Sequence, residues 1–292
     1  MKQLVNYITS ELQGFFPEEE LREVAYWIVE ESTGMTRTEI LFGCKDTKKN
    51  VNEQEIAHIL QKLRANEPIQ YIFGHTEWMG LDLSLTPATL IPRPETAELV
   101  EWILQMADKN QPLKVLDIGT GSGCIALALK KRAPMWSVTG LDISQEALEV
   151  AKENAVRNHL EVNWLQADIL SPNANSLLPI ADIIVSNPPY ICNSEKKDMQ
   201  ARVLDYEPHS ALFVPEDDPL LFYRQIAFLF SQDRIRECNS PSSKGDLYLF
   251  FEINEAYGSQ VCEMLRAMGY TDVQLKNDMY GKPRMVFGAT AR

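Results

Sequence analysis

The stretch S-N-P-P-Y at 186–190 follows an apolar run and combines a carboxamide, two prolines and a phenol. Because proline has no N–H for a sheet ladder, we expect the preceding strand to end here. The two rings also fix φ, so Asn187 and Tyr190 are held at a set separation. Such a corner can present two oxygen acceptors, the Asn187 side chain and the Pro188 carbonyl, beside an aromatic ring. The alternative is a rigid strand end with no chemistry.

This combination of groups is suited to the methylation of a planar nitrogen. The lone pair of an amide or nucleobase NH₂ is delocalised, so the NH₂ must be held in line with a methyl donor. Acceptors on both N–H bonds do this and also favour a tetrahedral nitrogen. No strong base is needed, because the proton is lost easily once the nitrogen is cationic. The motif therefore indicates an amino-group methyltransferase, and leaves open whether the amino group belongs to an amide, adenine or guanine.

Polar residues end the first four predicted strands of a parallel sheet: Asp117, Asp142, Asp168 and Asn187. They lie about one strand-helix unit apart along the chain. Since ligands of doubly wound sheets bind beyond the carboxyl ends of the strands, we expect these four residues to converge on one cleft.

The turn after the first strand reads D-I-G-T-G-S-G-C, with Asp117 at its start. Its three glycines let the backbone turn sharply and approach a ligand closely. The dinucleotide fingerprint needs its third glycine one place later, where this chain has Cys124. Asp117 would also sit awkwardly beside a pyrophosphate, whereas it could compensate a cation. The pattern therefore favours a cationic nucleoside, and S-adenosylmethionine fits.

Two further acids are candidates for the nucleoside itself. Asp142 is suited to accept both ribose hydroxyls, and Asp168 can accept from the adenine amino group beside the backbone of Ile169. The alternative is that these acids only cap the following helices. For Asp168, the sequence D-I-L-S-P can also be a simple turn.

Two regions of the chain differ in hydrophobic period. The first 75 or so residues are predicted to be helical, because apolar residues recur at helical spacing between Leu21 and Val29. Asn52 is suited to be the N-cap of a further helix. A packing bundle and a docking module for a partner protein both remain open for this region.

The remainder alternates short β-rich runs with helical stretches at 124–132 and 145–157, which is typical of βαβ units. Further strands are predicted at 246–253, 272–277 and 284–289. The last two leave no room for a helix between them, so they form an antiparallel hairpin. We predict an α/β, doubly wound, mostly parallel sheet of seven strands with one reversed near its end, and a surface loop over 232–245.

Composition excludes several classes of function. The formal net charge of −13, from 28 basic and 41 acidic residues, disfavours a direct nucleic-acid substrate unless a local basic patch overrides it. The five cysteines are scattered without a C-x-x-C pair, which indicates a reducing compartment. We expect a cytoplasmic protein, because no signal-peptide core or membrane span is apparent. The four histidines show no metal-ligand spacing, so no metal is predicted.

Several stretches of the chain together point to one protein family. They are P-I-Q-Y-I-F-G (68–74), L-I-P-R-P-E-T (90–96), D-I-G-T-G-S-G (117–123), S-N-P-P-Y-I (186–191), Y-E-P-H-S-A-L (206–212) and F-Y-R-Q-I (222–226). The sequence resembles the HemK/PrmC family of peptide chain release factor glutamine methyltransferases over nearly its whole length. The combination of I-P-R-P-E-T with N-P-P-Y is far more specific than N-P-P-Y alone.

The resemblance implies a class I S-adenosylmethionine-dependent methyltransferase domain behind an N-terminal helical-bundle domain. The implied boundaries are 1–75 for a helical substrate-docking domain, 76–92 for a β-hairpin linker and 93–292 for the methyltransferase domain. The implied substrate is the glutamine of the G-G-Q motif in class 1 bacterial release factors, methylated on its side-chain amide nitrogen. S-adenosylhomocysteine is then the second product.

The family's site residues carry over by position. The cofactor-binding residues are Gly119, Thr120, Gly121, Ser122, Gly123, Asp142, Asp168, Ile169 and Asn187. The substrate-binding residues are Asn187, Pro188, Pro189 and Tyr190, and the catalytic residues are Asn187, Pro188 and Tyr190. Arg93 and Glu95 lie in the family's signature loop, where Pro92 and Pro94 can instead serve only to stiffen the chain.

This chain departs from the family pattern at a few positions. Ala97 follows P-E-T where the family often has Glu, and E-I-N at 252–254 stands where it usually reads E-I-G. None of these departures removes a proposed contact. A nucleic-acid amino methyltransferase and a non-catalytic binder remain as alternatives. The acidic charge argues against the first, and the intact Asn187 and glycine turn argue against the second.

Overall fold

The computed structural model describes residues 1–42, 51–231 and 247–290. Their helices are α1 Lys2–Glu11, α2 Glu18–Thr33, α3 Arg37–Phe42, α4 Glu53–Arg64, α5 Ile69–Phe73, α6 Pro94–Met106, α7 Cys124–Arg132, α8 Gln145–Arg157, α9 Ala174–Leu177, α10 Ala201–Leu204, α11 His209–Leu212, α12 Leu221–Leu229 and α13 Gly258–Ala267. Their strands are β1 His75–Trp78, β2 Leu81–Ser84, β3 Lys114–Ile118, β4 Ser137–Asp142, β5 Asn163–Gln166, β6 Ile183–Ser186, β7 Ile191–Cys192, β8 Phe213–Val214, β9 Leu247–Glu252, β10 Thr271–Asn277 and β11 Pro283–Thr290. The surface loop predicted over 232–245 lies outside the described residues, as do Cys44 and Cys238.

The chain forms two compact units. One comprises Met1–Gly74 with Gln200–Tyr206, and the other comprises His75–Met199 with Glu207–Arg292. The predicted domain boundaries stay a prediction. No helix in the described ranges is long and apolar enough to cross a bilayer.

The first unit is helical, as predicted, and its apolar stripes face one core. Ile8, Ile28 and Leu60, from α1, α2 and α4, are fully buried in a common cluster. Helix α4 begins where the sequence indicated, because the Asn52 side chain accepts a hydrogen bond from the Glu55 N–H at 3.3 Å.

The second unit contains the predicted seven-stranded sheet, in the order β10-β11-β9-β6-β3-β4-β5 among the described residues. Pairings of β3 with β4 and β6, of β4 with β5, and of β6 with β9 are parallel, while β11 runs antiparallel to both neighbours. The chain order reverses at β3, which lies between β4 and β6. Doubly wound sheets bind ligands in the crevice at such a switch point.

Strand alternation divides the sheet residues between two cores. Val115 and Val185 pack in a cluster with α6 and α7, while Leu116 and Ile184 pack with α12 and α13. Helices on both faces explain why the central strands read as continuous apolar runs. The four residues of β6 are all buried.

The hairpin β1–β2 turns through Met79 and Gly80, whose φ angles are both positive, at 50° and 72°. Positive φ at both turn positions matches the twist of a two-residue hairpin. Asn154 on α8 fastens the hairpin, since its Oδ1 accepts the Ser84 N–H at 2.6 Å. Its Nδ2 donates to the Ser122 carbonyl at 2.9 Å, which connects the hairpin to the glycine turn.

Candidate active site

A cavity of about 340 Å³ lies at the carboxyl ends of β3, β4 and β6, where the chain order reverses. Its size is within the range of small-molecule sites. Most of the residues proposed from sequence line it, namely Gly119, Thr120, Gly121, Ser122, Asp142, Asp168, Ile169, Asn187, Pro188 and Pro189. Gly123 and Tyr190 do not belong to this lining. The structure therefore brings three of the four predicted strand-end residues, Asp142, Asp168 and Asn187, together in one crevice, whereas Asp117 does not belong to its lining.

The glycine turn after β3 has the backbone geometry that glycine permits. Gly119, Gly121 and Gly123 all have positive φ, at 72°, 55° and 80°. The Gly119 N–H donates to the Leu141 carbonyl at 2.8 Å, so the turn is tied to the end of β4. Gly123 packs closely against β5, because a Cβ there would lie 2.9 Å from the Trp164 ring.

Asp142 ends β4 and binds the glycine turn. Its Oδ2 accepts the Gly121 N–H at 2.8 Å and its Oδ1 accepts the Ser144 N–H at 2.9 Å. The helix-cap alternative does not describe Asp142, since Ser144 is the N-cap of α8. Burial raises the pKa of the Asp142 carboxyl, while these N–H donors lower it. Each carboxylate oxygen has further acceptor capacity for a ligand hydroxyl.

Asp168 is positioned by a turn rather than by a strand. β5 ends at Gln166, two residues earlier than the sequence indicated. Asp168 Oδ1 accepts the Leu170 N–H at 2.8 Å, so the turn alternative describes its local geometry, while the residue also lines the cavity. Gln225 on α12 steadies this turn by donating to the Ile169 carbonyl at 3.1 Å.

Asp117 is fully buried behind the glycine turn. Its Oδ2 accepts the Thr120 hydroxyl at 2.6 Å and the Ala126 N–H at 3.2 Å. Its Oδ1 has no hydrogen-bond partner within the described residues. Burial, with a smaller contribution from Asp142, raises the pKa of Asp117 to about 7. An acid in this position fits a ligand with a cationic group, because a nearby positive charge would favour the carboxylate.

Asn187 follows β6 directly, and its carboxamide is held from the side of α6. Its Nδ2 donates to Thr96 Oγ1 at 3.4 Å. The Thr96 hydroxyl in turn donates to Glu252 Oε2 at 2.6 Å, and Thr96 and Glu252 are both buried. The carboxamide is therefore oriented by a chain of side chains from α6 and β9.

Tyr190 is turned into the same network. Its hydroxyl donates to Glu252 Oε1 at 3.2 Å, and burial raises its pKa. Its carbonyl accepts from Asn254 Nδ2 at 3.1 Å. Asn254 also donates to the Glu195 carboxylate, so the departure from the family's E-I-G supplies two hydrogen-bond donors in this structure.

Arg93 and Glu95 have different surroundings. Arg93 precedes α6, lines the cavity and forms an ion pair with the buried Glu207, whose other oxygen accepts the Ile91 N–H at 3.2 Å. Glu95 lies in the first turn of α6 rather than in a loop and does not line the cavity. Arg93 thus has a clear structural role in fixing the chain before α6.

Sequence reasoning missed the residues that support the site from other elements: Thr96, Asn154, Glu207, Gln225, Glu252 and Asn254. Thr96, Glu207 and Gln225 stood within quoted motifs, and Glu252 and Asn254 within the quoted E-I-N, but these stretches gave no sign of their partners. Only the sheet pairing and helix packing bring Glu252 to Thr96, which is 156 residues away along the chain.

Comparison with known proteins extends these observations. Residues 98–207 match the model of the Methyltransferase small domain, and residues 3–74 match the PrmC N-terminal domain. The chain is 41% identical to the release factor glutamine methyltransferase of Bacteroides thetaiotaomicron, with 98% of this chain and 99% of that protein covered. The protein of the same name from Flavobacterium psychrophilum is 40% identical, with 96% and 97% covered.

A solved structure supports the fold. The crystal structure of the hMettl16 catalytic domain in complex with the MAT2A 3′UTR hairpin 6 is similar, with a TM-score of 0.55, 18% identity and coverage of 73% of this chain and 76% of that one. This similarity shows the fold alone. The two curated relatives are similar from end to end at about two fifths identity, and the methyltransferase fold and both family models agree with them. The chain belongs to the family of release factor glutamine methyltransferases.

Proposed function

We propose that this chain transfers the methyl group of S-adenosylmethionine to the side-chain amide nitrogen of the glutamine in the G-G-Q motif of bacterial class 1 release factors. The observation that carries the proposal is the Asn187 carboxamide, held by Thr96 at the end of β6 and lining the cavity beyond the glycine turn. Family membership supports the choice of glutamine as the acceptor.

The residues around the cavity fit the cofactor. The turn from Gly119 to Gly123 allows close backbone approach, and Asp142 offers acceptor capacity for a ribose diol. The turn at Asp168 and Ile169 lines the same cavity and would hold the adenine edge. Asp117 provides a buried acid suited to a cationic ligand. When bound, S-adenosylmethionine supplies an electrophilic methyl group.

The protein's own part in the reaction is to orient and polarise the acceptor amide. Asn187 Oδ1 and the Pro188 carbonyl accept the two N–H bonds of the glutamine side chain, which aligns its nitrogen and stabilises positive charge developing there. The rigid diproline backbone keeps these two acceptors at a fixed spacing. Tyr190 fixes the end of this segment, because its hydroxyl donates a hydrogen bond to Glu252.

The function is tested by transfer of labelled methyl from S-adenosylmethionine to purified release factor, with the site identified by mass spectrometry of the G-G-Q peptide. A release factor whose motif glutamine is replaced by alanine is the matched acceptor control. We expect label on the glutamine of the first and none on the second. Transfer to DNA or rRNA but not to release factor would contradict the proposed acceptor and favour the nucleic-acid alternative.

The role of Asn187 has its own test. Asn187→Ala removes an acceptor needed at the transition state, so we expect kcat to fall by about 10²–10³. The Kd for S-adenosylhomocysteine, measured by calorimetry, should change far less. Asn110→Ala, at an exposed asparagine on the turn before β3, is the control and should leave both values unchanged. An Asn187→Ala variant with normal kcat would contradict the mechanism.

A further inference from the structure

Glu252 is a buried carboxylate whose role the motifs do not assign. It ends β9, is buried and receives two hydroxyl groups from different elements, Thr96 on Oε2 at 2.6 Å and Tyr190 on Oε1 at 3.2 Å. Both hydroxyls donate to Glu252 in this structure, so its carboxylate acts as the acceptor on both oxygens. Its effect on its partners is therefore to fix where their protons point.

The proton of Thr96 is the decisive one. A hydroxyl has a single proton to donate, and a carboxylate can only accept. The Thr96 proton is thus directed to Glu252, and Thr96 Oγ1 can act towards Asn187 only as an acceptor. Asn187 must then turn its Nδ2 to Thr96, as the 3.4 Å contact shows, and its Oδ1 away from Thr96.

This direction matters because a carboxamide is nearly symmetric in shape. Rotation by 180° exchanges Oδ1 with Nδ2 at almost no steric cost, but exchanges an acceptor for a donor. A donor facing the substrate NH₂ would repel it. Some group must therefore select between the two orientations, and packing alone cannot do so.

We propose that Glu252 is a positioning residue which, through the hydroxyl of Thr96, holds the Asn187 carboxamide with its oxygen towards the acceptor amide. The inference rests on the proposed function and deepens it by naming the group that orients the catalytic acceptor. The charged or titratable groups that act on Glu252 include Arg284, Tyr190 and Glu95, and also Cys124 and Tyr223. Burial raises the pKa of Glu252, whereas the Thr96 hydrogen bond and the Arg284 guanidinium favour its ionised, acceptor-only form.

Glu252→Gln tests the direction of the hydrogen-bond relay from Glu252 through Thr96 to Asn187. The new Gln NH₂ can donate to Thr96, which frees the Thr96 proton to point at Asn187 and draws Oδ1 to the wrong side. We expect kcat for release factor methylation to fall by about 10²-fold, the lower end of the range for losing one transition-state contact. KM for release factor and Kd for S-adenosylhomocysteine should stay within about twofold, because the variant alters an acceptor used mainly in the transition state.

Two substitutions of Thr96, the middle residue of this relay, test it in a second way. Thr96→Ser keeps the hydroxyl and should retain most of kcat, whereas Thr96→Val removes it and should lower kcat by about tenfold or more. Adding Glu252→Gln to Thr96→Val should cause much less further loss than it does in the wild type, because residues in one network are not additive.

Asp278→Asn is the matched control for loss of a buried negative charge. Asp278 is also buried and pairs with Arg284 at 3.1 Å, but it lies on the β10–β11 turn and accepts its hydrogen bonds from that turn rather than from Thr96. The Asp278→Asn variant is expected to have the kcat of the wild type, even where its melting temperature falls. A loss of kcat in Asp278→Asn equal to that in Glu252→Gln would overturn the relay in favour of a general effect of charge near Arg284.

The outcomes separate this inference from the proposed function. Wild-type protein that does not methylate release factor would contradict the proposed function. An active wild type whose Glu252→Gln variant is folded and keeps kcat would overturn the relay alone. Where Glu252→Gln does not fold, equal kcat values for Thr96→Ser and Thr96→Val would overturn it.

Discussion

Asp142 shows at the scale of one residue how the chain prepares a ligand site. Its two oxygens already accept backbone N–H groups from Gly121 and Ser144, which fixes the carboxylate at the cavity. Asp168, in contrast, is exposed and held by one N–H bond from Leu170. We therefore expect Asp142 to contribute more to cofactor affinity than Asp168.

Asp142→Asn is expected to weaken binding of S-adenosylhomocysteine about 10–100-fold, the usual scale for a hydrogen bond to a charged group. The new NH₂ would also face one of the two backbone N–H donors. Calorimetry measures the change. Asp272→Asn, at an exposed acid at the start of β10, should leave the affinity unchanged. A larger loss in Asp168→Asn than in Asp142→Asn would contradict this ranking.

The sequence predicted the position of a site residue correctly where the signal was local, while the roles of these residues stay predictions. Asp142 and Asn187 were expected at strand ends, and both line the cavity at the ends of β4 and β6. Thr96 and Glu252 were missed because their meaning depends on a contact between α6 and β9. No local pattern in a sequence reports a contact over such a separation.

At the scale of elements, the glycine turn depends on the strand beside it. Gly140 in β4 has no Cβ because the space is filled, since a Cβ there would lie 2.4 Å from the Trp164 ring and 2.9 Å from Thr120 Oγ1. Trp164 also lies beneath Gly123. The Trp164 indole therefore supports the glycine turn from β5. It can do so only because residue 140 of β4 has no side chain.

Gly140→Ala should displace Trp164 and destabilise the protein by about 1–3 kcal/mol, as overpacking does in well-filled cores. Thermal melting measures the loss, and a shift in tryptophan fluorescence should accompany it. Gly288→Ala is the control, because its added Cβ would lie 3.3 Å from its nearest neighbour, the Tyr270 ring, and a smaller loss is expected. A Gly140→Ala variant with wild-type melting temperature would show that Trp164 does not constrain this turn.

Asn254 ties the segment after Tyr190 to the end of β9. It donates to the Tyr190 carbonyl and to Glu195, whose Oε1 also accepts the Cys192 N–H at 2.7 Å. Asn254→Gly, which restores the family's more usual residue, should lower the free energy of unfolding by about 1–2 kcal/mol through the lost hydrogen bonds.

Urea unfolding measures this loss, and Asn254→Asp is the informative comparison. Aspartate keeps an acceptor for the Ala256 N–H but has no donors for Tyr190 and would face the Glu195 carboxylate. We expect it to be no more stable than Asn254→Gly. An Asn254→Asp variant as stable as the wild type would show that the donated hydrogen bonds contribute nothing.

At the scale of the whole molecule, the sequence predicted the main order of the fold. Helices α7 and α8 have the predicted bounds, and the seven strands with one reversed are confirmed. Periodicity and glycine turns are local signals, so they identify consecutive βαβ units well. The pairing of β7 with β8 and the membership of 200–206 in the first unit were not foreseen, because both depend on contacts between distant segments.

Asp117 makes the stability of the folded chain depend on pH. Burial raises its pKa from 3.8 to about 7, so the folded state holds a proton that the unfolded state releases. The contribution of protonated Asp117 to folding is therefore fully present below about pH 4 and is lost as pH rises through about 7. Asp117→Asn, which stays neutral, should flatten the fall in melting temperature between about pH 5 and 8.

Melting curves of the wild type and of Asp117→Asn across that range provide the check. Addition of a cationic ligand gives a second check, because a nearby positive charge favours the carboxylate form of Asp117. We therefore expect binding at about pH 6.5 to release a proton from Asp117. Calorimetry in two buffers of different ionisation enthalpy measures that release. Identical pH profiles for the two proteins would contradict the assignment of this titration to Asp117.

The central claim is that the Asn187–Pro188 corner presents oxygen acceptors to a planar NH₂ beside a bound methyl donor. The most direct measurement is a crystal structure of the protein with S-adenosylhomocysteine. We expect the sulfur to face Asn187, Asn187 Oδ1 to point to the place of the transferred methyl, and a side-chain amide to fit between them. A structure in which Asn187 turns away from the sulfur, with no room for an amide, would contradict it.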